Sequence, residues 1–394
     1  MPNKELFTYR RPLGVAAMIT AGNFPMAVPS WKILPALLCG NTVVWKPSED
    51  APVIAYLFGR IMEDAGVPAG VLNIVHGSGA GGAGAAVLEC VDKGLIQKVS
   101  FTGSTEVGRK VGEVCGRNLQ IPSLELGGKN PLVVLRDADL DVAVEGALFS
   151  GYGTAGQRCT SLGNLILDKP IAAEFKKRLL ARISEIQIGD VTQGEDMLYG
   201  PMINERFANN FLKHLDMGKE DGATLLTTQN GRITNDNKPA NFVGDADAGF
   251  YVFPTLWDGV TADMKLAQTE VFGPVITVME VDGIDEAIEA ANCAPYGLSS
   301  ACYTMNPTHI LKFKNGIRAG MTSINNTTNG AEAHLPFGGC GWSGNGTRES
   351  GVWVIDAYTR WHAVNEDLAG KLQLAQIDVD FGDTHEPTDM SALD

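Results

Sequence analysis

The chain is poor in the residues that build metal and disulfide frameworks. It has seven cysteines, an odd number with irregular spacing and no C-x-x-C pair, and only six histidines. A disulfide scaffold pairs an even set, and a structural zinc site needs closely spaced Cys and His. Neither is expected, no metal is expected, and a reducing, cytoplasmic setting is. Positive charge is scarce as well: 31 Lys and Arg stand against 46 Asp and Glu, a net charge of −15. Such a surface repels phosphate backbones and anionic lipid, so neither nucleic acid nor a membrane surface is an expected partner. No apolar run reaches bilayer length, because the longest, "ILPALLCGNTVVW", is cut by proline, glycine and asparagine. The first residues, "MPNKELFTYRRPLG", lack the apolar centre of a secretion signal.

What the chain has is a strand–helix rhythm. With 394 residues it is long enough for two or three domains. "GVAAMIT", "NTVVWKPS", "VLNIVHG" and "KVSFTGS" read as strands. "AVPSWKILPALLCG", "APVIAYLFGRIMEDAG", "GAGAAVLECVDKG" and "STEVGRKVGEVCG" read as the helices between or after them. This is the pattern of parallel βαβ units in a doubly wound α/β sheet. From Pro131 the rhythm restarts with "PLVVL", "DLDVAVEGALFSGYG", "NLILD" and "IAAEFKKRLLARISEI", so a second α/β domain begins near Gly127 to Lys129. Farther on, "GPVITVMEV" and "SSACYT" read as strands around the helix "IDEAIEAANCA". Residues 217–250 are polar and rich in Gly, Asn and Asp, and read as exposed loops. The acidic, proline-containing end, 371–394, reads as a loosely held tail.

The stretch "YGTAGQRCTSLGN" holds one cysteine, Cys159, among small and polar residues. A lone cysteine is by default a small buried hydrophobe, but these flanks are not a core pattern, and Arg158 beside it favours the thiolate. A thiolate nucleophile needs a base and an oxyanion donor. Glu125, set between leucines in "SLELGGKNP" and followed by two glycines, suits the base, because burial at the end of an apolar strand raises its pKa. Asn23 in "TAGNFP", held by the following Phe24–Pro25, suits the donor. "GSGAGG", Gly77 to Gly82, fits a dinucleotide-binding pattern that is weak alone in so glycine-rich a chain. "VSFTGSTEVG" places Gly103 and Ser104 at a strand–helix turn whose free N–H groups would face a diphosphate. "VVWKPSED" places Lys46 and Glu49 just past a strand, where ribose hydroxyls would be held.

Taken together, "GNFP", "WKPSE", "FTGSTEVG", "LELGGKNP", "GTAGQRCT", "EVFGPV", "YGLSS" and "LPFGG", in that order from about Tyr9 to Gly370, resemble the aldehyde dehydrogenase superfamily. The resemblance implies a Rossmann-type cofactor domain, an α/β catalytic domain and a β-strand oligomerisation arm, and hence a homo-oligomer. On that pattern residues 1–10 are the remaining strand of the arm and 11–127 the NAD-binding domain. Residues 128–346 are the catalytic domain, and 347–370 the return segment with the second arm strand. Cys159 resembles the thiol that attacks an aldehyde, Asn23 and the Cys159 N–H the oxyanion site, and Glu125 the base that activates the hydrolytic water. Gly103, Ser104 and Gly108 of the "GSTEVG" turn resemble the diphosphate contact, and Lys46 and Glu49 the grip on the adenosine ribose. Glu270 and Phe272 of "EVFGP" resemble the grip on the nicotinamide ribose and ring. "GSGAGG" then borders the adenine. The resemblance implies NAD rather than NADP, since Glu49 would repel a 2′-phosphate, although Lys46 leaves NADP open.

The implied reaction is oxidation of an aldehyde to a carboxylic acid through a cysteine thiohemiacetal and thioester. Two departures from the family stand out. Only about ten residues precede the "PLGV" strand, where relatives carry a long segment that supplies part of the cofactor domain and a wall of the substrate tunnel. Gly22 stands where a bulky residue is usual, which widens one side of the pocket. Arg158 and Phe337 resemble residues of members that oxidise semialdehydes bearing a carboxylate, with Arg158 pairing with that acid. The alternative for Arg158 is a structural ion pair. Two further readings are a non-catalytic NAD-binding scaffold of the same fold and a coenzyme A-acylating enzyme. Glu125 weighs against the second, and the intact set Cys159, Glu125 and Asn23 against the first.

Overall fold

Short apolar runs separated by glycine turns build two mainly parallel sheets in this computed structural model, which describes residues 4–194, 196–368 and 370. The first sheet has five parallel strands in the spatial order Leu72–Ile74, Thr42–Lys46, Val15–Ile19, Lys98–Thr102 and Ser123–Glu125. Its central strand alternates faces with period two. Ala16 and Met18 join Ile33, Ala36, Val43, Trp45 and Phe58 in one core, while Ala17 and Ile19 join Val91, Val99, Phe101, Val111 and Cys115 in the other. Burial of both faces is why this strand reads as a continuous apolar run.

The second sheet has seven strands, in the order Met321–Ile324, Ser299–Tyr303, Asn130–Val134, Leu162–Asp168, Val275–Val281, Thr255–Asp258 and Thr224–Leu225. All neighbours are parallel except the last pair. The first sheet ends at Glu125 and the second begins at Asn130, so the four residues Leu126 to Lys129 join the two. Both sheets lie in one compact unit, Pro12–Thr359. A separate unit contains all but the last residue of the strand Lys4–Pro12, which pairs with Thr359–Asp367 in a two-stranded ribbon.

The sequence reading misses several elements. Among them are the helices Glu205–Glu220 and Pro307–Gly316 and the strands Thr255–Asp258 and Met321–Ile324, although Glu205–Glu220 does carry an apolar stripe through Phe207, Phe211, Leu212 and Leu215. The stretch 217–250 also needs correction: it opens with the last turn of a helix, and Ile233 and Ala246 are buried, so its loops fold back onto the core. The acidic stretch 371–394 lies outside the described residues. Among the described residues no helix is long and apolar enough to cross a membrane, and no group of three His, Cys, Asp or Glu is arranged to hold a metal ion.

Candidate active site

The junction Leu126 to Lys129 is where the sequence motifs meet. A side chain on Gly127 would overlap the Glu270 carboxylate, and the Gly128 N–H donates to Glu270 Oε1 at 3.0 Å. A methyl group on Gly128 would stand 2.5 Å from the Cys159 carbonyl oxygen. Asn130, two residues on, donates through Nδ2 to the carbonyls of Cys159 at 2.8 Å and Ser161 at 2.7 Å, and accepts the Ser299 N–H at 3.0 Å. The two glycines of "ELGGKN" are therefore required by close approach: one side of the junction receives Glu270 and the other the nucleophile loop.

Glu125 ends its strand fully inside. Both carboxyl oxygens are buried and accept no hydrogen bond, and a methyl group on Gly338 would lie 2.7 Å from Oε1. Burial, and then the charge of Glu349, hold its pKa well above the usual carboxylate range, against the pull of Lys32 and Arg348. Behind it lies a buried pair that sequence reasoning did not single out. Lys32 Nζ donates to Glu349 Oε1 and, at 2.9 Å, to Ser100 Oγ, which itself donates to Glu349 at 3.2 Å. Lys32 and Glu349 are 317 positions apart, so no local pattern joins them. Phe337 is buried, and its backbone runs beside Glu349. Its N–H and carbonyl both pair with the Glu349 backbone, at 2.8 and 2.7 Å, and its ring lies 5.3 Å from Trp31.

Cys159 is half-buried. Burial, then the charges of Glu125 and Glu270, push its thiol up to about 12, while the N–H groups of Cys159 and Thr160 facing the sulfur pull it down. Asn23 Nδ2 donates to the Gln157 carbonyl at 2.9 Å, which brings the amide to the nucleophile loop. Arg158 makes no ion pair among the described residues. Its guanidinium lies 5.4 Å from the Phe24 ring and 5.2 Å from the Phe149 ring, and Nε donates to Thr154 Oγ1 at 2.9 Å. Among the described residues the structural ion pair weighed from sequence is absent, and no acceptor meets the remaining guanidinium N–H groups.

On the other side, Lys46 Nζ meets Glu49 Oε2 at 2.8 Å. This bond, with the Gly79 N–H of the "GSGAGG" loop among the minor contributors, lowers the pKa of Glu49. Ser104 caps the helix Thr105–Arg117 by accepting the Val107 N–H at 3.4 Å. Gly108 packs its Cα against Leu126, where a side chain would overlap Leu126 Cδ2. Glu270 sits on the junction with its carboxyl pushed up to about 7 by burial, and Phe272, at φ 54°, lies 5.8 Å from the Phe207 ring.

The sequence profile of the aldehyde dehydrogenase family matches residues 1–364. The chain belongs to that family. Among relatives of this aldehyde dehydrogenase is the alpha-ketoglutaric semialdehyde dehydrogenase of Bacillus subtilis, 39% identical over 363 residues, covering 90% of this chain and 70% of the relative. Another is the 2,5-dioxopentanoate dehydrogenase of Saccharolobus solfataricus, 38% identical over 368 residues, covering 93% of this chain and 73% of the relative. Among solved structures, the betaine aldehyde dehydrogenase of Staphylococcus aureus in complex with NAD+ superposes with a TM-score of 0.87 at 32% identity, over 94% of this chain and 71% of that one.

The expected residues of this aldehyde dehydrogenase thus fall into two groups. Cys159, Asn23, Glu125, Arg158 and Glu270 converge around the junction. Lys46, Glu49, Gly103 and Ser104 follow the carboxyl ends of the first sheet's strands, where α/β folds bind ligands. Two expected residues are seen in packing contacts, Gly108 under Leu126 and Phe337 against Trp31. Asn130 and Gln157 were missed as holders of the nucleophile loop, although both lie within the quoted motifs.

Proposed function

We propose that this chain uses NAD+ to oxidise an aldehyde that carries a carboxylate, with Cys159 as nucleophile, Glu125 as base and Asn23 as oxyanion donor. The observation that carries the reading is the convergence of Cys159, Glu125 and Glu270 on Leu126 to Lys129, where the charge of an unbonded, buried carboxyl acts on a half-buried thiol.

The residues fit a nicotinamide dinucleotide. The capped N-terminus of Thr105–Arg117 offers free N–H groups to a diphosphate. The Lys46–Glu49 pair offers an acceptor and a donor to the adenosine ribose, and Glu270 reaches from the junction toward the second ribose. The negative charge kept on Glu49 favours NAD over NADP. When bound, NAD+ supplies the hydride acceptor.

At rest the thiol is held protonated by burial and by two carboxyls. Turning the Glu270 carboxyl away from Cys159 would remove one of them, so the position of Glu270 sets how readily the thiol ionises. The half-exposed thiol gives its proton to solvent, the thiolate so formed adds to the aldehyde carbon, and the alkoxide is met by Asn23 Nδ2 and the Cys159 N–H. Loss of hydride from that carbon leaves a thioester on Cys159. Glu125 takes a proton from water, the hydroxide adds to the thioester, and collapse expels the thiolate and the carboxylic acid. The buried Lys32–Glu349–Ser100 group acts on Glu125 through charge, Glu349 raising its pKa and Lys32 lowering it, and so tunes the base. A base in this position favours water over coenzyme A as acyl acceptor, and a scaffold would have no use for it.

Arg158 defines the substrate class. Its guanidinium sits between two phenylalanine rings next to the nucleophile in sequence and pairs with no acid among the described residues. The two relatives above are named for alpha-ketoglutaric semialdehyde and 2,5-dioxopentanoate, which describe one acid with an aldehyde at its far end. Arg158→Ala is expected to raise KM for such a semialdehyde about 10-fold to 100-fold, the scale of a charge-assisted pair, and to change KM for a neutral aldehyde of equal length less than about threefold. Equal effects on both substrates remove the carboxylate reading. The enzyme is further proposed to work in the cytoplasm as a homo-oligomer joined through the Lys4–Pro12 and Thr359–Asp367 ribbon.

A further inference from the structure

Gln157 stands two residues before the nucleophile, and its side chain is committed entirely to the protein. It is 4% exposed. Oε1 accepts the Ile203 N–H at 2.9 Å, while Nε2 donates to the carbonyls of Thr154 at 3.3 Å and Pro201 at 3.4 Å, the longer and weaker pair. The Gln157 main-chain carbonyl accepts Asn23 Nδ2 at 2.9 Å.

The segment leading into Gln157 needs such an anchor. Thr154, Ala155 and Gly156 have φ of 57°, 54° and 64°, three successive residues in the left-handed region. For the two non-glycine residues this costs about 1–2 kcal/mol each, so the turn persists only where its surroundings hold it. Gly156 is pressed onto the Gly273 carbonyl, where a side chain would overlap, so the turn also touches the segment that carries Glu270 and Phe272. The anchor on the other side belongs to the same site. Asn204, next to Ile203, caps the helix Glu205–Glu220 by accepting the Phe207 N–H at 3.1 Å, and donates to Asp50 at 2.9 Å, beside Glu49. The Phe207 ring is the one against Phe272.

We propose that Gln157 is the positioning residue of the oxyanion site. By accepting the Ile203 N–H its carboxamide fixes the left-handed turn and thereby the direction of its own carbonyl. That carbonyl holds one hydrogen of the Asn23 amide and leaves the other for the substrate oxygen. The proposal rests on the reading of Asn23 as oxyanion donor given above.

The test uses the full chain with NAD+ and a semialdehyde, in four variants: Gln157→Met, which has similar length and no acceptor; Gln157→Glu, which keeps an acceptor for Ile203; Asn23→Ala; and Asn23→Ala with Gln157→Met. Steady-state kinetics are read beside the alkylation rate of Cys159 by iodoacetamide, which needs the thiol but no oxyanion donor. Gln157→Met is expected to lower kcat about 10-fold to 100-fold, within the range for a lost oxyanion donor, with KM for NAD+ and the alkylation rate within about twofold. Gln157→Glu recovers most of the turnover. In the Asn23→Ala background the Met substitution costs less than about threefold more, because both act through one group. Unchanged kcat in Gln157→Met, full additivity with Asn23→Ala, or an equal fall in alkylation overturns the proposal. Wild-type turnover in Asn23→Ala instead overturns the oxyanion reading beneath it. If Gln157→Met does not fold, Gln157→Asn, whose carboxamide is too short to reach Ile203, takes its place with the same criteria.

Discussion

The carboxyls around Cys159 carry the pH behaviour of the site. Glu270 is raised from 4.5 to about 7, chiefly by burial. Between those values the folded state binds more protons than the unfolded chain, so the contribution of Glu270 to stability is full below pH 4.5 and is lost as pH rises through about 7. Glu270→Gln removes that loss. Its melting temperature is expected to match wild type near pH 4.5 and to exceed it by roughly 2–4 °C above pH 7, checked by calorimetry across the range. A constant difference at all pH values refutes the assignment. Cys159 stands out in the sequence because its flanks are not a core pattern, while Glu125 and Asn23 gain their roles only from the order of the family motifs. Neither Lys32 nor Glu349 stands out there. Lys32 lies in an amphipathic helix with the composition of any other, and its partner is 317 residues away, so only the fold reveals the pair.

At the scale of elements, the helix Thr105–Arg117 and the junction after Glu125 are tied by Gly108 and Leu126. The missing side chain of Gly108 lets the helix N-terminus, with Ser104 at its cap, lie close to the strand that ends in the base. Gly108→Ala forces the two apart. It is expected to destabilise by about 1–3 kcal/mol, the usual cost of overpacking, and to raise KM for NAD+ more than KM for the aldehyde. An unchanged KM for NAD+ would separate this helix from the cofactor. The strands and helices most legible in the sequence are those buried on both faces or strongly amphipathic, such as Val15–Ile19 and Leu162–Asp168. Thr255–Asp258 and Met321–Ile324 are four residues long and depend on parallel neighbours for their existence, so their local sequence carries little signal.

At the scale of the molecule, the ribbon of Lys4–Pro12 and Thr359–Asp367 is a two-stranded sheet, a form marginal by itself in water. Leu6 is 70% and Trp361 63% exposed on it. A second copy of the chain that extends the sheet and covers these side chains would resolve both features. Leu6→Lys with Trp361→Glu is expected to shift the mass in solution, read by light scattering, to a smaller species while the melting transition of the rest is kept. An unchanged mass places the subunit contact elsewhere. The arm strands were legible from sequence only through the family pattern, because their alternating charged and aromatic residues also suit an exposed loop.

The central claim is that one thiol carries the acyl group and one buried carboxyl releases it. Rapid mixing of Glu125→Gln with NAD+ and a semialdehyde, followed by NADH absorbance, tests it most directly. The account predicts a burst of about one NADH per site followed by almost no steady-state turnover, since the thioester forms and stays, and no burst at all in Cys159→Ala. Steady turnover at the wild-type rate in either variant would contradict it.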